Sequence, residues 1–332
     1  MLVFSRLSPA VPTEVYDTYW RFAAERQEIF FKRLARKESP WTEDPILREY
    51  KFTNAYRASD RVSQFLIRHV IYSGNIEPSE VFFRTILFKL FNKIETWRFL
   101  EAKVGLISYH DFDFNTYDAL LTTALESGQR IYSSAYIMPT RARGFGMTEP
   151  RKHRTHLRIL ELMMRDRAWL RIANAETFHE AFDVLRSYPL LGDFLAYQFV
   201  TDLNYSELID FPEREFVVPG PGAKDGLRKC FSTTGGLSET EAIRMVADRQ
   251  QEEFEKRGLH FRDLWGRALQ LIDCQNIFCE VDKYARVKHP DARGLSGRKR
   301  IKRRFSPHQD ALDIWYPPKW GLNERIRKAA LH

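Results

Sequence analysis

Cysteine is scarce in this sequence: 332 residues hold three, Cys230, Cys274 and Cys279, and none forms a CxxC pair. That excludes a disulfide scaffold and leaves too few thiolates for an iron–sulfur cluster held on four of them. No apolar run reaches the ~18 residues of a membrane span. Met1 to Val11 also lacks the charged start and long apolar stretch of a secretion signal, so a cytoplasmic protein is expected. A phosphate-cradling GxxxxGK loop followed by Ser or Thr is missing too. Its nearest approach, Gly294-Leu295-Ser296-Gly297-Arg298-Lys299, has the wrong spacing, which argues against a nucleotide or DNA kinase. His153 and His156 have no Cys or carboxylate at ligand spacing, so neither a metal nor another cofactor is expected. Convincing alternating strands and internal repeats are lacking as well.

What the sequence does have is positive charge and aromatic mass. The formal charge is +8. The densest run is Arg298-Lys299-Arg300-Ile301-Lys302-Arg303-Arg304. A basic chain with a local basic run favours a polyanionic partner, because phosphate neutralisation releases counterions; double-stranded DNA is the expected one. Aromatics make up 14% of the chain, enough to build a large core and leave some rings for stacking.

Helical periodicity dominates, so the fold class read from the sequence is all-α. Thr13 is the expected N-cap of a helix over 14–37. Further helices are predicted over 60–73, over 79–97 with Pro78 in the first turn, over 116–125 capped by Asn115, and over 150–173. Capping-box spacing at Thr177/Glu180 and Ser238/Glu241 marks two more helix starts, the second over 242–256. Two helical lobes and an arm are predicted: 1–140, 141–292, and a basic C-terminal arm over 293–332. The cut falls near Tyr136 to Gly146, and Trp315, Tyr316 and Trp320 dock back onto the body.

The most informative stretch runs from Arg186 to Phe231. Tyr188-Pro189-Leu190-Leu191-Gly192 is a tight turn between helices, and the N–H groups opening the second helix could face a phosphate. Pro189, Gly192 and Ala196 resemble the helix-hairpin-helix of DNA glycosylases, whose pattern runs Leu-Pro-Gly-hydrophobic-Gly with an Ala four residues on. Leu190 departs from it where the first Gly belongs. Pro219-Gly220-Pro221-Gly222-Ala223 is similar to the divergent branch labelled α-glutamyl/putrescinyl thymine pyrophosphorylases. So are Trp41 to Leu47, Phe52-Thr53-Asn54-Ala55-Tyr56-Arg57-Ala58-Ser59-Asp60 with Arg61 to Gln64, Phe88 to Lys93 and Asn276 to Tyr284. The resemblance implies a helix-hairpin-helix glycosylase-like fold acting on a modified pyrimidine in DNA. The activity it implies first is a glycosylase that excises the base after flipping it out, with anti-phage defence as a setting.

Glycosidic cleavage develops positive charge on the sugar, so a carboxylate is required to stabilise it or activate water. The candidates are Asp225, placed after PGPGA, then Glu280, Asp202 and Glu215. Lys283 is an alternative nucleophile through a Schiff base. DNA contacts are expected from Gly192, Lys224, Arg228, Arg57, Arg61 and Gln64, and from Arg298, Lys299, Arg300, Lys302, Arg303 and Arg304. Two other readings compete: a base-hypermodification transferase or pyrophosphorylase, and a noncatalytic DNA-binding module using the same hairpin and basic tail.

Overall fold

A computed structural model describes residues 9–134, 138–140, 149–306 and 312–329. These residues are mostly helical, with one small antiparallel pair, Val11–Pro12 against Phe231–Thr233. The first helix is Glu14–Leu34, and Thr13 caps it by accepting the Val15 N–H. Asp113, not Asn115, caps Phe114–Glu126. The Ser238/Glu241 capping box is complete at Glu239–Asp248, and Thr177 caps Phe178–Arg186.

Besides the helix over 242–256, which divides at Arg249 into Glu239–Asp248 and Gln250–Lys256, three predicted helices are broken in the structure, each at an identifiable point. The helix expected over 79–97 ends at Phe91, because Asn92 turns left-handed (φ 49°) and a second helix, Ile94–Val104, starts anew. Asn tolerates that region better than most residues, and its N–H still reaches the Phe88 carbonyl. The segment over 150–173 splits at Arg167 (φ 50°) into Lys152–Arg165 and Ala168–Ala173. The third, over 60–73, has a short α-helical turn, Arg61–Phe65, that widens into the π-helical Leu66–Ile71.

By its contacts the chain forms two compact units, each assembled from separate stretches. The first is Met1–Asp60, Glu213–Ile314 and Glu324–His332; the second is Arg61–Pro212 and Trp315–Asn323. The predicted cut near Tyr136 to Gly146 lies outside the described residues except for 138–140.

In the first unit the central helix is Leu271–Lys288, with Glu14–Leu34 and Pro221–Cys230 packed on it. Two glycines explain the closeness of that last packing. A Cβ on Gly222 would collide with Cys279 Sγ, and one on Gly226 with the Phe278 carbonyl oxygen. Around Trp20 the core is aromatic: Tyr19 and Phe254 meet it edge-on with ring centroids 5.0 and 4.9 Å away, and Phe261 stacks on Phe254 at 4.3 Å.

The second unit is built on Pro78–Phe91, buried from Glu80 to Phe91. A helix this apolar all round belongs in a core, and Lys152–Arg165, Ala168–Ala173 and Asp193–Leu203 cover it. The Trp315 to Trp320 segment docks on this unit: Tyr316 is fully buried, and Lys319 Nζ donates to the carbonyls of Ser206 and Ile209.

Candidate nucleic-acid interface

The basic run is held as an extended arm on the first unit by main-chain bonds. Lys51 N–H donates to the Arg303 carbonyl (3.0 Å), and Phe305 N–H donates to that of Glu49 (2.8 Å). Arg286 donates to the Arg300 carbonyl, and Phe305 lies edge-on to Trp41. Because backbone groups fasten the arm, the side chains of Arg298, Lys299, Arg300, Lys302, Arg303 and Arg304 are all exposed. Arg304 pairs with Glu49.

At its start the arm meets Asp225. This carboxyl is buried; Oδ1 accepts the Ser296 N–H at 2.9 Å and Oδ2 accepts the Ser296 hydroxyl. Burial opposes its ionisation, yet Ser296, the Leu295 N–H and the Arg298 charge together hold it below the usual carboxylate range.

A second constellation surrounds 52–60. Glu280 and Asp273 lie seven residues apart on the central helix, two turns on one face. Glu280 accepts the Thr53 N–H (3.1 Å) and Asp273 that of Arg57 (2.8 Å), so the helix clasps the loop at two points. Arg26 closes the other side through the Thr53 carbonyl and Asn54 Oδ1. Asp60 accepts the Asn54 N–H at 2.8 Å. Burial first, then the neighbouring Glu280 charge, pushes Asp60 up to about 7 against the pull of Arg26 and Arg57. Burial, with Glu213 nearby, does the same to Asp273, also to about 7. Lys283 Nζ sits 2.5 Å from Glu280 and over the Phe52 ring, so the proposed nucleophile is an ion-pair partner here.

The remaining predicted residues are dispersed. Asp202 is buried 2.8 Å from Lys89 in the second unit. Glu215 is exposed, and its carbonyl accepts Arg244. Lys224 is half-buried, 3.9 Å from Glu239, and Arg228 is exposed. Arg57 is buried in its loop. Arg61 faces Glu95 at 3.6 Å, and Gln64 accepts the Trp315 N–H. The turn of the hairpin has Leu190 at φ 68°, the left-handed conformation that the motif's first glycine would adopt freely. Gly192 opens Asp193–Leu203, and a Cβ there would meet nothing within 4 Å. Sequence reasoning passed over Arg26, Asp273 and Ser296. For Asp273 the signal was available in its seven-residue spacing from Glu280; for Ser296 none was.

Residues 13–294 match the family described as "5-hmdU DNA kinase, helical domain". A relative named "5-hmdU DNA kinase", from Bacillus phage SP10, is 27% identical over 301 residues, covering 84% of this chain and 46% of the relative. The chain thus spans about half the length of the curated relative it matches. No solved structure matches. These findings point to a family that processes modified pyrimidines in DNA, as the sequence suggested, and to mostly helical architecture. They overturn the glycosylase: the relative carries the name of a kinase, a phosphoryl transferase, and not that of a hydrolase of glycosidic bonds. The roles given to Asp225, Glu280, Asp202, Glu215 and Lys283 in base excision fall with it. The lack of a GxxxxGK loop does not count against membership of this family, because that motif belongs to one kind of kinase only.

Proposed function

We propose, because the chain belongs to the 5-hmdU DNA kinase helical-domain family, that it is the part of a DNA-modifying kinase that holds DNA containing 5-hydroxymethyl-deoxyuridine. The observation that carries this reading is the arm: five exposed cations within six positions, Arg298, Lys299, Arg300, Lys302 and Arg303, on a backbone fastened at Glu49, Lys51 and Arg286. A fixed row of cations gains phosphate contacts without the ordering entropy that a loose tail would lose. The hairpin supports a second contact, since open space at Gly192 lets a phosphate approach the first N–H groups of Asp193–Leu203. Lys224 and Arg228, four residues apart on one helix face, extend the basic surface of the first unit.

The test is binding to a duplex oligonucleotide containing 5-hmdU across a salt series, with phosphate transfer from labelled ATP to the same DNA measured alongside. Replacing Arg298, Lys299, Arg300 and Arg303 by Ala should weaken binding by about tenfold or more and flatten the salt slope. Unchanged affinity and slope would remove the arm from the interface. Labelled DNA is the result expected if the activity in the relative's name extends to this chain.

A further inference from the structure

We propose that Asp225 is a positioning residue, the latch that fixes the basic arm in its DNA-binding course; the inference rests on the proposed role of that arm. Asp225 sits within Pro221–Cys230, at the place where a catalytic acid was expected, yet both of its carboxylate oxygens point at the arm. Ser296 supplies a backbone N–H and a hydroxyl to it, two residues before Arg298. Gly294 belongs to the same device: a Cβ there would lie 2.9 Å from Asp225 Cγ, so only glycine lets the main chain pass this close. Glycine at 297 turns the chain onward with φ 62°, directly ahead of the cations. The GLSG stretch that superficially resembled a phosphate loop is therefore a docking turn for a carboxylate.

The latch separates two jobs. The hydrogen-bond donors to Asp225 are main-chain N–H and hydroxyl groups, so it orders the arm while the cations that follow stay exposed. Fixing residues at this end limits the loop entropy of the whole run to the 49–51 bridge, where Arg304 and Phe305 fasten the other end.

The test uses four variants of the full chain: Ser296→Ala, Ser296→Thr, Asp225→Asn and Gly294→Val. Each is assayed by trypsin cleavage within 298–304, by thermal melting, and by binding to the 5-hmdU duplex across a salt series. The latch predicts that Ser296→Ala keeps the parent's melting temperature, is cut in the arm about tenfold faster, and loses DNA affinity with a shallower salt slope. Ser296→Thr, which retains the hydroxyl, should restore both readouts. Parental cleavage rate and parental affinity in Ser296→Ala would overturn the latch. Faster cleavage with parental affinity would keep the latch and overturn the arm's role in DNA binding, the outcome that separates the two proposals.

Discussion

In the first unit, Asp60 and Asp273 are kept from ionising by burial and by neighbouring acids, and are pushed up to about 7. In the second, His156 is kept from protonating: burial, followed by the charges of Lys152 and His153, pushes it down to about 4 despite its bond to the Pro139 carbonyl. The same loss of water thus disfavours an anion in one place and a cation in the other. Both units also use buried carboxylates on main chain, Glu280 on Thr53 in the first and Glu80 on Tyr109 and His110 in the second. Each unit also buries a matched pair, Lys229 with Asp282 at 2.9 Å in the first and Lys89 with Asp202 at 2.8 Å in the second, every side chain under 4% exposed; Asp60 and Asp273 stand apart because each sits close to another acid.

The largest effect should come from breaking the matched pair of the second unit. Asp202→Ala leaves the Lys89 ammonium buried without its anion and should cost about 3–5 kcal/mol in chemical denaturation, whereas Lys89→Leu with Asp202→Leu should recover most of that loss. Equal destabilisation by the single and double variants would show that the pair is not coupled.

Next come two glycines, one in each unit. Gly226→Ala in the first unit drives a methyl into the Phe278 carbonyl and should cost about 1–3 kcal/mol. In the second, Gly192→Ala enters open space and should lie within about 0.5 kcal/mol of the parent. Comparable melting temperatures for the two would break the distinction between a packing glycine and a surface one.

The smallest effect is the opposed response to pH. Asp60 and Asp273 have folded values above the ordinary one, so the stability they contribute is fully present below about pH 4 and is lost as pH rises towards 7. Asp225, held low, changes only below about pH 4, outside this window. His156 is depressed, so its contribution is present above about pH 6.5 and is lost as pH falls towards 4. Hydrogen exchange, corrected for the intrinsic rate, should show Leu271–Lys288 less protected at pH 7 than at pH 5, and Lys152–Arg165 the reverse. Parallel changes in both helices would mean that other groups dominate.

Helix starts were legible because a cap is decided within about four residues: Thr13, Thr177 and Ser238 cap as read. Helix breaks at Asn92 and Arg167 were not, since neither residue is a strong breaker, and only packing on each side shows why the chain must turn there. The turn between Phe178–Arg186 and Asp193–Leu203 was legible from Pro189 and Gly192, and Leu190 takes the left-handed conformation within it. Among site residues, the basic run could be read as charge. The setting of each acid could not: Asp225, Glu280, Asp202 and Glu215 look alike in one dimension, and in the structure they bond to an arm, bond to a loop, face a lysine and lie in solvent.

By itself the sequence determined a helical chain, its principal caps, its net positive charge and the position of its densest cations, because periodicity, capping and composition are local properties. Tertiary structure alone decided that Asp225 meets Ser296, 71 residues away, and that Asp273 and Glu280 fasten 52–60. Those pairings are set by which helices pack closely enough to leave a carboxylate out of water, and the donors it then accepts are the main-chain groups that happen to be within reach.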